Sequence, residues 1–432
     1  MARESGFMKR SRKLAPSQFL DRLIFNSFDN GSMSLNDLSA DLQLHQGTSI
    51  RKQSLDERFN EHSTKFVKTL LEEKLKTQTA GRLSASCLSR FTAVKIKDST
   101  RFQLPPTFQE KYPGYGGSAS EAGMFIQFEF DLRSGTVSTI KPTGAKRQDS
   151  TDAGETVSAI NEGELIIRDL GYYSGKVLER IDTERKAFFI TRKSYGSKLY
   201  RHQNGKFTEL ELEKELKAMR SAGIVCKEVE VYLNKKQTTP FRLIIEVLPD
   251  IEVERRIRKA RENRQRKGKQ LSKEYRLYAS LGLFLTNIPK DWVKAEDIRL
   301  LYKLRWQIEL RFKCWKGLIH IQATKKMKLH RFETCLYARL IYILIHWEIS
   351  MALTVMHWKK KKILVSVYKC YKALIQCKDL LSFALFKNRR ALKAYFNLIE
   401  NIHWRNLELE RRKNSVGFTE ILVSKLRNKK EL

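Results

Sequence analysis

The 432-residue chain predicts a mixed α/β fold set between helical N- and C-terminal regions. Two observations carry this. Short β-branched and aromatic runs begin near residue 91 and then alternate with amphipathic segments, whereas the chain before about 90 and after about 290 has helical periodicity.

In the first region, "SLNDLSADLQLHQGTSIRKQSLDERFNE" offers Ser34 as an N-cap, sets Leu35, Leu38 and Leu42 on one face, breaks at Gly47 and restarts after Thr48. This is the outline of a helix-turn-helix whose second helix would lay Arg51, Lys52 and Gln53 into a DNA groove; an ordinary helical hairpin is the alternative. From 91 come the strand candidates "FTAVKIKD", "MFIQFEFDL" and "TVSTIKP", the last two joined by "RSG" as a hairpin. A helix around "AGETVSAI", a strand "ELIIRD", a helix "SGKVLERIDTE" and a strand "AFFITR" complete the first part of the core. A second β-rich region holds "KEVEVYL", "FRLIIEVLP" and "LYASLGLFLTNIP". Inside it "RRIRKARENRQRKGK" carries nine basic residues and one acid, Glu262. That run reads as a phosphate-contacting element, a solvated helix being the plainer reading.

Lys and Arg total 83 against 48 Asp and Glu, a net charge of +35 that points to a polyanionic partner, nucleic acid first. With 41% hydrophobic and 10% aromatic residues, the chain is a folded basic protein and no disordered tail. Six scattered cysteines without a C-x-x-C pair suit a reducing cytosol. The N-terminus shows no signal-peptide pattern. The apolar window "LIYILIHWEISMALTVM" contains His346 and Glu348, so it reads as a buried core helix and no membrane is expected.

Tyr302, Arg305, Glu309 and Lys316 fall within about a 60° arc of one continuous helix, as a stripe about 21 Å long. Glu309 then either pairs with Arg305 or binds a metal ion. Asp98 closes the strand "VKIKD" and Asp169 the strand "ELIIRD". Each alone is an ordinary turn aspartate. Together with Glu309 they form a set of hard oxygen donors suited to magnesium, with manganese as an alternative, and to in-line phosphoryl transfer. Glu333 and Glu348 compete for the third place.

The spacing Tyr302-x2-Arg305-x3-Glu309-x6-Lys316 resembles the Tyr-Arg-Glu-Lys signature of the insertion-sequence-four family of bacterial DDE transposases. "IKDST" and "IIRDLGYYS" look like that family's segments around its two aspartates. The resemblance implies a ribonuclease-H-like core in two parts, 91–195 and 291–350, interrupted by a β-rich insertion at 196–290. A DNA-binding region at 1–90 and a basic helical region at 351–432 flank it. It further implies Asp98, Asp169 and Glu309 as catalytic metal ligands, and Tyr302, Arg305 and Lys316 as contacts to transposon-end DNA. Trp292, Trp306 and Trp315 are candidates to stack on an unpaired base, or to lie in the core. The implied activity is cut-and-paste movement of an insertion sequence: cleavage at terminal inverted repeats and strand transfer into target DNA, by a homodimer in the bacterial cytoplasm, associated with the nucleoid. The rivals are a non-catalytic DNA-binding regulator and a nuclease that does not join strands.

Overall fold

The computed structural model describes residues 1–10, 13–26, 34–78, 88–237, 240–265, 268, 270–361, 365–402 and 404–409. Cys87, the last basic residues of the 255–269 run (266, 267 and 269) and the tail from 410 lie outside the described residues.

Helices α1 (Pro16–Asn26), α2 (Leu35–Gln46), α3 (Lys52–Asp56) and α4 (Glu61–Lys76) come first. Then follow β1 (Val94–Leu104), β2 (Ala122–Asp131), β3 (Val137–Gly144), α5 (Asp149–Thr156), β4 (Leu165–Arg168), α6 (Gly175–Thr183) and β5 (Phe188–Arg192). Next are β6 (Tyr200–Gln203), β7 (Lys206–Glu209), α7 (Leu212–Ser221), β8 (Cys226–Val231), β9 (Phe241–Val247), α8 (Asp250–Gln265), α9 (Lys273–Ala279) and β10 (Leu281–Thr286). The chain finishes with α10 (Ala295–Lys303), α11 (Trp306–Gly317), α12 (Leu329–Lys361), α13 (Val367–Gln376), α14 (Lys378–Lys387), α15 (Arg389–Glu400) and α16 (Trp404–Leu407).

The described residues divide into two compact units. The first draws on Met1–Leu83, Asp98–Arg147 and Trp306–Ser415, the second on Ser84–Lys97 and Gln148–Arg305. The strands order as β3-β2-β1-β4-β5-β10-β9-β8. β1, β4 and β5 are parallel, while β2 and β3 form an antiparallel hairpin. Three strands, a helix, a strand, a helix and a strand in that order make a ribonuclease-H-like core, as the sequence predicts. β10, β9 and β8 continue the sheet antiparallel from β5, so these strands of the second β-rich region extend the core sheet; β6 and β7 pair apart from it.

In the second unit the sheet packs Ile166, Phe189, Leu243, Ile245 and Leu283 against Val177 and Ile181 of α6, a dry core whose burial is the main favourable term in folding. In the first unit α12 is the core helix. Trp347 stacks edge-on against Phe128 and Phe130 and donates its indole N–H to the Gly135 carbonyl at 2.7 Å. Glu348 takes Lys74 of α4 at 2.6 Å, and Glu333 accepts the Tyr112 hydroxyl at 2.8 Å. Both rival glutamates are thus structural. α12 is long and apolar enough to cross a membrane by length and composition, yet most of its apolar window is buried inside the protein.

Two predicted boundaries move. The strand expected to end at Asp98 runs on to Leu104, because Thr100 and Leu104 still reach the interior after the polar Asp98 and Ser99. The strand expected from Leu277 begins at Leu281, since Ser272 caps Tyr275 and starts the short helix α9. In the N-terminal region Ser34 forms a capping box with Asp37, and Gly47 ends α2 at φ 62°, a left-handed conformation that glycine adopts without penalty. α3 is a five-residue turn, short for a helix that would fill a groove.

Candidate active site

The parallel register of β1 with β4 runs from Val94↔Leu165 to Lys97↔Arg168. The next residue is an aspartate after both strand pairs, Asp98 within β1 and Asp169 just past β4. Beneath this point, in the second unit, Lys97 forms a fully buried ion pair with Asp152 of α5 and reaches the Thr156 hydroxyl at 3.2 Å. Such a pair is costly to break, because either charge left alone would be buried without compensation. It anchors α5 to the strand that carries Asp98. Nothing in the sequence singled out Asp152; Lys97 alone, a lysine beside Ile96 inside a strand, was a signal.

Asp169 leads into a 3-10 turn, Leu170–Tyr172, and its side chain is 42% exposed. Arg305, 15% exposed, brings its Nε to 3.6 Å from Asp169 Oδ1 and its guanidinium to 5.9 Å from the Tyr302 ring. At that length the contact is an ion pair and no hydrogen bond. Tyr302 packs on Phe284 at 5.4 Å, and its buried hydroxyl has no hydrogen-bond partner among the described residues. Burial, and then the negative Asp169, push the Tyr302 phenol far above its usual range, so it stays a proton donor. Tyr302, Arg305 and Asp169 are therefore brought together.

In the first unit Asp98 Oδ1 accepts the Ser99 N–H at 2.8 Å, and Glu309 lies half-buried in the first turn of α11. Lys316 donates to the Arg101 carbonyl at 2.9 Å, tying the end of α11 to β1 three residues beyond Asp98. Partial burial lowers the Lys316 pKa. Arg101 in turn lies 4.0 Å over the Phe125 ring and donates to the Arg147 carbonyl at 3.0 Å.

The stripe on one continuous helix is corrected. α10 ends at Lys303 and α11 begins at Trp306, with Leu304 N–H bonded to Leu301 and Arg305 N–H to Tyr302 in a tightened i to i+3 turn. Such a turn advances about 120° per residue, so the 100° projection fails across it. The tryptophans also separate. Trp315 is buried against Phe128 at 4.8 Å and is a core residue, whereas Trp292 is half-buried, packed on Phe188 at 4.9 Å with the Arg90 guanidinium 5.5 Å from its ring. Trp306 is 47% exposed, with the Lys313 ammonium 4.7 Å over its ring. Arg51 and Lys52 are exposed at the start of α3.

The donors Asp98, Asp169 and Glu309 are all carboxylates, the right kind for a hard divalent cation. Among the described residues, no group of three or more His, Cys, Asp and Glu side chains stands close enough to hold a metal ion. Asp169 remains accessible, beside the buried Tyr302 hydroxyl.

The family of the transposase DDE domain matches residues 89–345, more than half of the chain. The chain belongs to the DDE transposases and is a DNA transposase, an enzyme of DNA cleavage and strand transfer. Within that group it is of the insertion-sequence-four type. It is 33% identical over 386 residues to the transposase for insertion sequence element IS231F of Bacillus thuringiensis subsp. israelensis, covering 85% of this chain and 80% of that protein. To the transposase for insertion sequence element IS1151 of Clostridium perfringens it is 28% identical over 407 residues, covering 90% and 85%. Among solved structures it is similar to the piggyBac transposase synaptic complex with hairpin DNA, with TM-score 0.41, 13% identity and coverage of 96% of this chain and 82% of that one.

Proposed function

We propose that this transposase moves an insertion sequence by cut-and-paste, cleaving at terminal inverted repeats and joining the freed ends to target DNA in the bacterial cytoplasm. The observation that carries the reading is the pair of aspartates that follow the last paired residues, Lys97 and Arg168, of two parallel strands, with Arg305 held against the second. Asp98, Asp169 and Glu309 would hold magnesium or manganese, which would supply activation of a water or 3′-hydroxyl and stabilisation of the leaving oxygen. Arg305 neutralises Asp169 until DNA arrives and then grips phosphate oxygens through two parallel hydrogen bonds. Tyr302, kept protonated by burial, donates to the same DNA end, and Lys316 adds charge at the far end of α11. Arg51 and Lys52 contact the duplex from the N-terminal region. Two copies assemble on the two ends.

The test uses the full-length protein with an inverted-repeat duplex and an unrelated target. Asp98→Asn, Asp169→Asn and Glu309→Gln each abolish cleavage while the gel shift persists, and chelation of divalent ions does the same to the wild type. A variant that still cuts at the wild-type rate removes its residue from the triad. Binding without cleavage by the wild type would make the protein a regulator, and cleavage without joining a nuclease.

A further inference from the structure

Within the second unit, one face of α5 holds the turn that begins at Asp169. The Tyr172 N–H closes that turn on the Asp169 carbonyl at 3.0 Å, so the backbone of Asp169 moves with it. Gly171, in the middle of the turn, lies against the first residue of α5. A Cβ added there would stand 2.9 Å from Asp149 Oδ2 and 3.4 Å from Asp149 Cβ, inside van der Waals contact. Tyr172 is buried, with the Lys97 ammonium 6.0 Å and the Arg168 guanidinium 5.8 Å from its ring. Those two cations are partners in the β1–β4 register, and Arg168 immediately precedes Asp169. Lys97 is held in turn by Asp152 and by the Thr156 hydroxyl, which itself donates to the Asp152 carbonyl at 2.8 Å. Asp149, Asp152 and Thr156 are spaced by three and four residues, so they share one face of α5.

A buried ion pair is a poor way to stabilise a fold, since apolar side chains of similar volume often do as well or better. Direction is what charge and hydrogen bonds add: an ammonium aimed at a carboxylate and a hydroxyl fixes where Lys97 sits beside the Tyr172 ring. We propose that Asp152, acting through Lys97 and Tyr172, is a positioning residue for Asp169, and that Asp149 against Gly171 braces the same turn. The proposal rests on the reading of Asp169 as a residue of the reacting site. Such side chains must be held within about 0.5 Å of the productive geometry. At 42% exposure the Asp169 side chain is only partly confined by packing, which leaves its direction to the turn.

The experiment uses the full-length protein and the inverted-repeat duplex. Lys97→Met/Asp152→Leu replaces the pair by apolar side chains, Gly171→Ala pushes the turn off Asp149 by an independent route, and Asp169→Asn is run beside them. Melting temperature, duplex affinity and single-turnover cleavage at saturating protein are measured on each. The double variant is expected to melt at or above the wild-type temperature, and Gly171→Ala within a few degrees of it. Both bind the duplex as the wild type does and cleave it more slowly, by up to roughly 10²-fold for a displacement of about 1 Å. Thr156→Val slows cleavage as well, and Thr156→Ser, which keeps the hydroxyl, restores it. In a crystal structure of the double variant the 3.6 Å contact between Asp169 and Arg305 is lost. Normal cleavage per folded molecule in either variant, or an unmoved Asp169, would overturn the proposal and leave the pair as scaffold. Should the double variant fail to fold, the rate of Gly171→Ala decides by itself. Asp169→Asn cutting at the wild-type rate would instead sink the site reading, whatever α5 does.

Discussion

Arg305 and Tyr302 show how a single side chain separates a structural role from a functional one. Arg305 meets Asp169 at 3.6 Å with the acid 42% exposed, so solvent screens the pair and its loss costs at most about 1 kcal/mol. Arg305→Ala therefore melts within a few degrees of wild type and cleaves DNA ends far more slowly. The Tyr302 hydroxyl is buried without a partner, which favours its removal in the folded state. Tyr302→Phe is expected to melt at or above the wild-type temperature while cleavage per folded molecule falls. Calorimetry and single-turnover cleavage on the same preparations check both. A lowered melting temperature with normal cleavage would return the two residues to the scaffold.

Among the elements, α12 carries the first unit and exposes it to pH. His346 is fully buried, and burial drives its pKa down to about 4, with Nδ1 at 3.0 Å from the Tyr342 carbonyl. The unfolded chain takes up the proton near pH 6.5, whereas the folded protein resists until near pH 4. Stability from this group is therefore intact above about pH 6.5 and falls as acid is added through that window, by up to about 1.4 kcal/mol per pH unit. Urea unfolding at pH 7 and pH 5 measures the drop, and His346→Gln flattens it. An equal drop in the variant would assign it to other groups. Since the stripe crosses from α10 to α11 through a tightened turn, its residues act from two elements, so Arg305 and Lys316 variants should be additive in DNA affinity. Affinity of the double variant against the two singles tests that.

At the scale of the whole molecule, the excess of 83 basic over 48 acidic residues is the dominant field. If about 6 to 10 phosphates are neutralised, DNA affinity drops by roughly 10³ to 10⁵ between about 50 and 200 mM salt. A titration in that range gives the slope, and a flat response would mean that the charge serves something other than DNA. α8 belongs to that field and buries no residue: Arg255 meets Glu252 at 3.6 Å, and Arg256 donates to the Leu281 carbonyl at 3.0 Å.

The sequence by itself determined the strand and helix order of the core from β1 to β5, the Ser34 cap, the Gly47 stop and the residue types proposed for the site. These depend on periodicity, capping chemistry and charge, all written within a few residues of one another. Its spacing also pointed to the family, because Tyr302, Arg305, Glu309 and Lys316 stand at the intervals of that family's signature. Tertiary structure decided the rest. That Arg305 reaches Asp169 and that Lys97 is buried on Asp152 follow from contacts between residues tens to more than a hundred positions apart, and the extension of β1 past Asp98 and the turn at Leu304 show only in the folded chain. Burial in a packed core outweighs local propensity by enough to bend a helix or sink a charge, and no local pattern records which distant partner makes that worthwhile.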